Sequence, residues 1–194
     1  MARRNRRTQT ASRKPSGRPR RTASSTRAAA RRPDAIRLLK DDHERVRALF
    51  QRFERTRGET QKERIAERIC NELKVHAQLE EELFYPAARE AIAEKDLLNE
   101  AEVEHASAKD LIAQIESTSP ADEKYDALVT VLGEYIRHHV KEEEGQMFGK
   151  VRRSELDLVA LGERMRARKR SLSGGPGSRA VGRLRAMVGA PAPA

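Results

Sequence analysis

The chain has 194 residues, 37 % apolar and 36 % charged, with no tryptophan and a single cysteine, Cys70. That length suits one core with tails, and the scarcity of β-branched and aromatic clusters favours helices over sheet. A lone thiol excludes an intrachain disulfide, no apolar run approaches a membrane span, and the N-terminus lacks the apolar stretch of a secretory signal, so the expectation is a soluble protein of the reducing cytoplasm.

The net charge of +10 is unevenly placed. Residues 1–33 hold twelve Lys or Arg and no acid, residues 171–194 hold three Arg and no acid, and residues 34–170 hold 25 basic against 30 acidic residues. The first stretch has almost no large apolar side chains and reads as a disordered Arg-rich tail. Its charge suits non-specific contact with nucleic-acid phosphates, and equally a merely solubilising role; it lacks the apolar face of a transit peptide. Residues 171–194 read as a flexible Gly/Pro/Ala-rich tail, with a transient helical turn about 181–188.

Between the tails, apolar positions recur at helical spacing. The first helix opens after Pro33 and Asp34 with a seam of Ile36, Leu39, His43, Val46, Phe50 and Phe53, and Gly58 reads as its stop. The second spans about 59–93 with Ile65, Ile69, Leu73, His76, Glu80 and Leu83 on one face, and Pro86 should kink it or end its regular part. The third carries Leu98, Ala101, His105, Ala108, Ile112 and Ile115 and closes at "STSP". The fourth opens near residue 121 and carries Val129, Leu132, Ile136, His139, Glu143 and Met147. A shorter fifth, "SELDLVALGERMRARKR", has Ser154 as its expected N-cap. The prediction is all-α: an antiparallel up-down four-helix bundle over 34–170, a short fifth C-terminal helix, and disordered basic tails.

Each of the four long helices places one histidine on its apolar stripe: His43, His76, His105 and His139. Two of these are followed four residues later by a glutamate on the same stripe, Glu80 and Glu143, and positions i and i+4 share a helix face. Distances along the helices from the connecting loops bring all four rings to one zone of the bundle centre. An internal repeat supports this: "DDHERVRALF" pairs with "VEHASAKDLI", and "HAQLEEELFYP" with "HVKEEEGQMFG". A lone histidine on such a stripe is most often an ordinary core residue. Two buried glutamates in one core are different, because desolvation costs several kcal/mol unless a cation compensates.

Four imidazoles and two carboxylates exceed the needs of one tetrahedral zinc. They suit two metal ions, each with about two histidines, sharing two glutamate bridges and keeping open positions; iron fits best, and manganese and zinc are compatible. In "YIRHHVKEEEGQMF", His138 is about 100° around the helix from His139 and reads as a bystander or outer group, as do Glu142 and Glu144.

The order His, His-x-x-x-Glu, Glu-His, His-x-x-x-Glu-Glu on four helices resembles the hemerythrin-like (HHE cation-binding) domain family, and "DAIRLLKDDHERVRALF" and "HAQLEEELFYPA" are similar to its first two helices. The resemblance covers about 34–150. It implies a non-haem di-iron centre with His43, His76, Glu80, His105, His139 and Glu143 as ligands, Glu80 and Glu143 bridging, and a small diatomic or peroxide ligand bound for sensing, storage or stress protection. Oxygen-carrying members have a further histidine where this chain has Ala101, and Glu102 is a candidate substitute. Ferritin-like proteins need two Glu-x-x-His motifs, and this chain has one, at 102–105. An alternative function, compatible with the first, is a basic-tailed helical protein that sequesters iron near DNA.

Overall fold

A computed structural model describes residues 34–174; the predicted N-terminal arm, the tail beyond residue 174 and the turn at 181–188 lie outside the described residues. Helix α1, Ala35–Arg55, begins at Asp34, whose carboxylate accepts the Arg37 N–H at 2.7 Å, and it stops at Thr56, which is extended and returns its N–H to the Phe53 carbonyl. Gly58, predicted as the stop of this helix, instead heads the next: α2 runs Glu59–Leu79.

Regular α geometry then gives way to a π-helical turn, Glu80–Phe84, followed by α3, Tyr85–Ala91. Pro86 falls in the first turn of α3, where its missing N–H is tolerated, so the break predicted there arrives earlier and takes the form of a widened turn. The extra residue in that turn also rotates the buried face. Leu83, expected on the seam, is half-buried, while Phe84 and Tyr85 are enclosed.

Helix α4 spans Lys95–Ser117 and α5 spans Tyr125–Glu142. The predicted opening near 121 is a few residues early, because Ser119 and Asp122 turn their side chains onto the Ala121 and Lys124 N–H groups and hold this segment as turns. A second π turn, Glu143–Met147, leads to α6, Phe148–Arg153. Ser154 closes α6 rather than opening the last helix: its hydroxyl and N–H both reach the Val151 carbonyl. The N-cap of α7, Leu158–Gly174, is Asp157, whose Oδ1 accepts from Val159 and Ala160.

The long helices pack in a ring, α1 on α2, α2 on α4, α4 on α5 and α5 on α1, with α7 laid across α1, α2 and the first π turn. Among the described residues there is no strand. Apolar side chains form two clusters. One gathers Leu39, Leu79, Phe84, Leu98, Phe148 and Met165; the other gathers Val46, Phe50, Ile69, Leu73, Ile112 and Leu132. The histidines sit in the layer between them, His43 between Leu39 and Val46 in sequence, His76 between Leu73 and Leu79.

Candidate metal centre

The polar layer is built by the bundle's own period. All four predicted histidines and both predicted glutamates are buried, with Glu80 at 0 % and Glu143 at 1 % exposure. His43 and His76 form one pair, Nε2 to Nε2 3.2 Å; His105 and His139 form another at 3.3 Å. Each glutamate spans both pairs. Glu80 Oε2 lies 3.1 Å from His76 Nε2 and 3.4 Å from His105 Nε2. Glu143 Oε2 lies 3.4 Å from His43 Nε2 and 3.6 Å from His139 Nε2.

The outer ring nitrogens settle which way the rings are polarised. His43 Nδ1 meets Glu144 Oε1 at 3.0 Å, His105 Nδ1 meets Glu81 Oε1 at 3.0 Å, and His139 Nδ1 meets Glu104 Oε2 at 2.7 Å. His76 Nδ1 faces Asp42 at the looser distance of 3.7 Å. A carboxylate can only accept, so the three short contacts place a proton on Nδ1 of His43, His105 and His139 and aim their Nε2 lone pairs at the centre, while His76 Nδ1 is buried without a hydrogen-bond partner. Lone pairs and carboxylate oxygens then converge, and three of the four carboxylate oxygens have no donor to satisfy them. Both Glu80 oxygens and Glu143 Oε2 are buried without a hydrogen-bond partner. Donors at roughly 2.0–2.2 Å from a shared cation are themselves about 3–3.6 Å apart, the spacing seen here. The residues therefore fit metal ions on the chemistry of the donor set, His43, His76, Glu80 and Glu143 forming one group and Glu80, His105 and His139 another.

Without a metal, protons serve as the compensating charge. Burial opposes charge on His76, but the Glu80 carboxylate outweighs it and raises the imidazole above its ordinary value; Glu143 and Glu104 do the same for His139 against burial. Burial pushes Glu80 up, and His76 and His105 together hold it well below the carboxylate range. The hydrogen bond from His139 lowers Glu104.

Four neighbours of the centre escaped the sequence reading. Asp42, Glu81 and Glu104 back the outer nitrogens, and their signal was present in the repeat as the acid before each helix 1 and helix 3 histidine and the second glutamate of Glu-Glu. The fourth is Tyr85, 1 % exposed, whose hydroxyl donates to Glu143 Oε1 at 3.0 Å and lies 3.2 Å from His105 Nε2. Its counterpart in the repeat is Phe148, stacked on His43 with ring centroids 5.9 Å apart. Glu102 does not approach the centre: it is half exposed and bound to Arg89 at 2.7 Å. His138 likewise points outward, 61 % exposed. Beside the four rings lies a cavity of about 30 Å³, walled by Val46, Leu73, Ala108 and Ile112.

A buried His/Glu centre inside a four-helix bundle defines a cation-binding helical protein. The chain belongs to the hemerythrin HHE cation binding domain family, whose pattern matches residues 34–151. It is 30 % identical over 119 residues to a protein named DNA nickase from Nostoc sp., and it spans about a third of that relative's length, the match covering 33 % of it and 61 % of this chain. In fold it is similar to the crystal structure of a hemerythrin HHE cation binding domain-containing protein from Mycobacterium kansasii, with a TM-score of 0.65, 24 % identity and coverage of 79 % of this chain and 93 % of that one.

Proposed function

We propose that the protein is a non-haem di-iron protein that binds O₂, NO or peroxide for sensing, storage or stress protection, with His43, His76, Glu80, His105, His139 and Glu143 as ligands and the two glutamates bridging. The observation that carries this reading is the set of partnerless Glu80 and Glu143 oxygens facing inward-pointing Nε2 lone pairs. When bound, a pair of irons supplies electrons and open coordination positions to a small ligand. The chain supplies the rest. The cavity beside the rings has room for a water-sized or diatomic guest, and its aliphatic walls limit water entry. Glu81, Glu104 and Glu144 hold three of the imidazoles in register. Tyr85 places a buried O–H on Glu143, where it can hold or deliver a proton. Anaerobic Fe(II) loading followed by metal analysis and exposure to oxygen is the test: two irons and an oxygen-dependent absorption change are expected. A protein that retains no iron, or whose His76→Ala and His139→Ala variants keep two irons, refutes it.

A second, compatible reading assigns nucleic-acid association to residues 1–33, supported by their twelve basic residues without an acid and by the name of the Nostoc relative. Neutralising phosphates with Lys and Arg makes affinity fall steeply with salt and leaves it insensitive to sequence. Duplex binding by the full chain should weaken and lose its salt slope when the arginines of residues 1–33 become glutamine; equal binding by both proteins removes this reading.

A further inference from the structure

Glu104 has a second oxygen that the inner centre does not use. Its Oε2 accepts from His139, whereas Oε1 lies 3.8 Å from His138 Nε2. His138 Nε2 is also 3.6 Å from Glu142 Oε1, one helical turn along α5. These separations are too long for hydrogen bonds and close to the spacing of donors around a shared cation. Histidine and glutamate at i and i+4 present nitrogen and oxygen on one helix face, and Glu104 adds a third donor from α4, already held in position by His139. The three donor atoms lie within 4.8 Å of one another. Glu104 is buried, Glu142 half-buried and His138 exposed, so the group opens from the bundle wall to solvent.

The internal repeat makes an independent case for a cation at this place. Asp42 is the counterpart of Glu104: each precedes the histidine of its own helix and faces Nδ1 of the next helix's histidine. Asp42 is paired with two protein cations, Lys169 of α7 and Arg45. Helix α7 packs on α1 and α2, and so furnishes this ammonium to the first half of the repeat. Among the described residues no lysine or arginine pairs with Glu104 or Glu142; where Lys169 and Arg45 stand against Asp42, His138 and Glu142 stand beside Glu104 and bring no fixed positive charge. Asp42 is neutralised by side chains, whereas its counterpart Glu104 lies in a donor set that holds a second carboxylate, Glu142.

We propose that Glu104, His138 and Glu142 form a peripheral binding site for a divalent cation of the class that accepts mixed nitrogen and oxygen donors, with Zn²⁺ as the probe. Water completes its coordination, and the Glu104 carboxylate, shared between the cation and His139 Nδ1, links the site to the inner centre. Occupancy is readable by counting. Equilibrium dialysis of the full chain against Zn²⁺ should give one equivalent fewer for His138→Ala, and one fewer for Glu142→Gln, than for the wild type, with the helical circular dichroism unchanged. His76→Ala, by contrast, should lose zinc from the inner centre and still hold the equivalent that His138→Ala removes. Wild-type stoichiometry and affinity in both outer variants would overturn the proposal. An outer equivalent found in a protein whose inner centre takes no metal would support this site while refuting the di-iron reading.

Discussion

At the scale of single residues, the centre is a contest between donors and acceptors. Three carboxylates draw the Nδ1 protons of His43, His105 and His139 outward, and each inward-facing nitrogen becomes an acceptor as a result. The Tyr85 hydroxyl is the exception, a donor inside an acceptor cluster. Replacing it as Tyr85→Phe leaves Glu143 Oε1 buried without that donor, so the metal-free protein should lose about 1–3 kcal/mol in urea unfolding. A smaller loss is expected in the metal-loaded protein, where the ion takes over the carboxylate; equal losses would show that Glu143 is not a ligand. Cys70, fully enclosed and pushed up to about 12 first by burial and then by Glu116, belongs to packing alone. It should resist iodoacetamide in the native state at neutral pH and react on denaturation, as mass spectrometry would show.

The helices show why seam counting succeeded where it did. A constant 3.6-residue period placed His43, His76, His105 and His139 on inward faces, and nothing in a helix disturbs that period until a turn widens. Both widened turns begin at a proposed bridging glutamate, Glu80 and Glu143, and inside the first of them Leu83, expected on the seam, is only half-buried against the first apolar cluster. The partners Asp42, Glu81 and Glu104 were not assigned for a related reason: each reaches a ring on another helix, and a single-helix pattern carries no information about a neighbour. Helix α5 offers a test of packing against propensity. Ala exceeds Gly by about 1 kcal/mol in a helix interior, yet a Cβ at Gly133 would stand 3.0 Å from Phe50 Cδ1. Phe50 is enclosed in the second apolar cluster and has little room to yield. Gly133→Ala should therefore destabilise the protein by about 1–2 kcal/mol, read from the denaturant midpoint at unchanged slope; a stabilised variant would mean that Phe50 repacks freely.

For the molecule as a whole, the buried centre couples metal, protons and stability. His76 and His139 titrate above the ordinary 6.5 in the folded, metal-free chain because Glu80 and Glu143 outweigh burial. Their contribution to stability is complete below the unfolded value and is lost as pH rises through the raised folded values. Metal binding through the proposed ligands needs the same nitrogens deprotonated. The gain in Tm on metal loading should thus increase from about pH 6 to about pH 8, as scanning fluorimetry of loaded and metal-free protein would show. A gain independent of pH would place the metal away from these histidines. By itself the sequence determined the helical class, the four-helix order and the six inward His and Glu positions, because helical periodicity is local and the repeat wrote it twice. Only the tertiary structure decided which carboxylate backs which ring, that Tyr85 enters the centre while Glu102 leaves it for Arg89, and that α7 neutralises Asp42 and not its counterpart Glu104. These choices depend on distances between helices, which no spacing along one chain encodes.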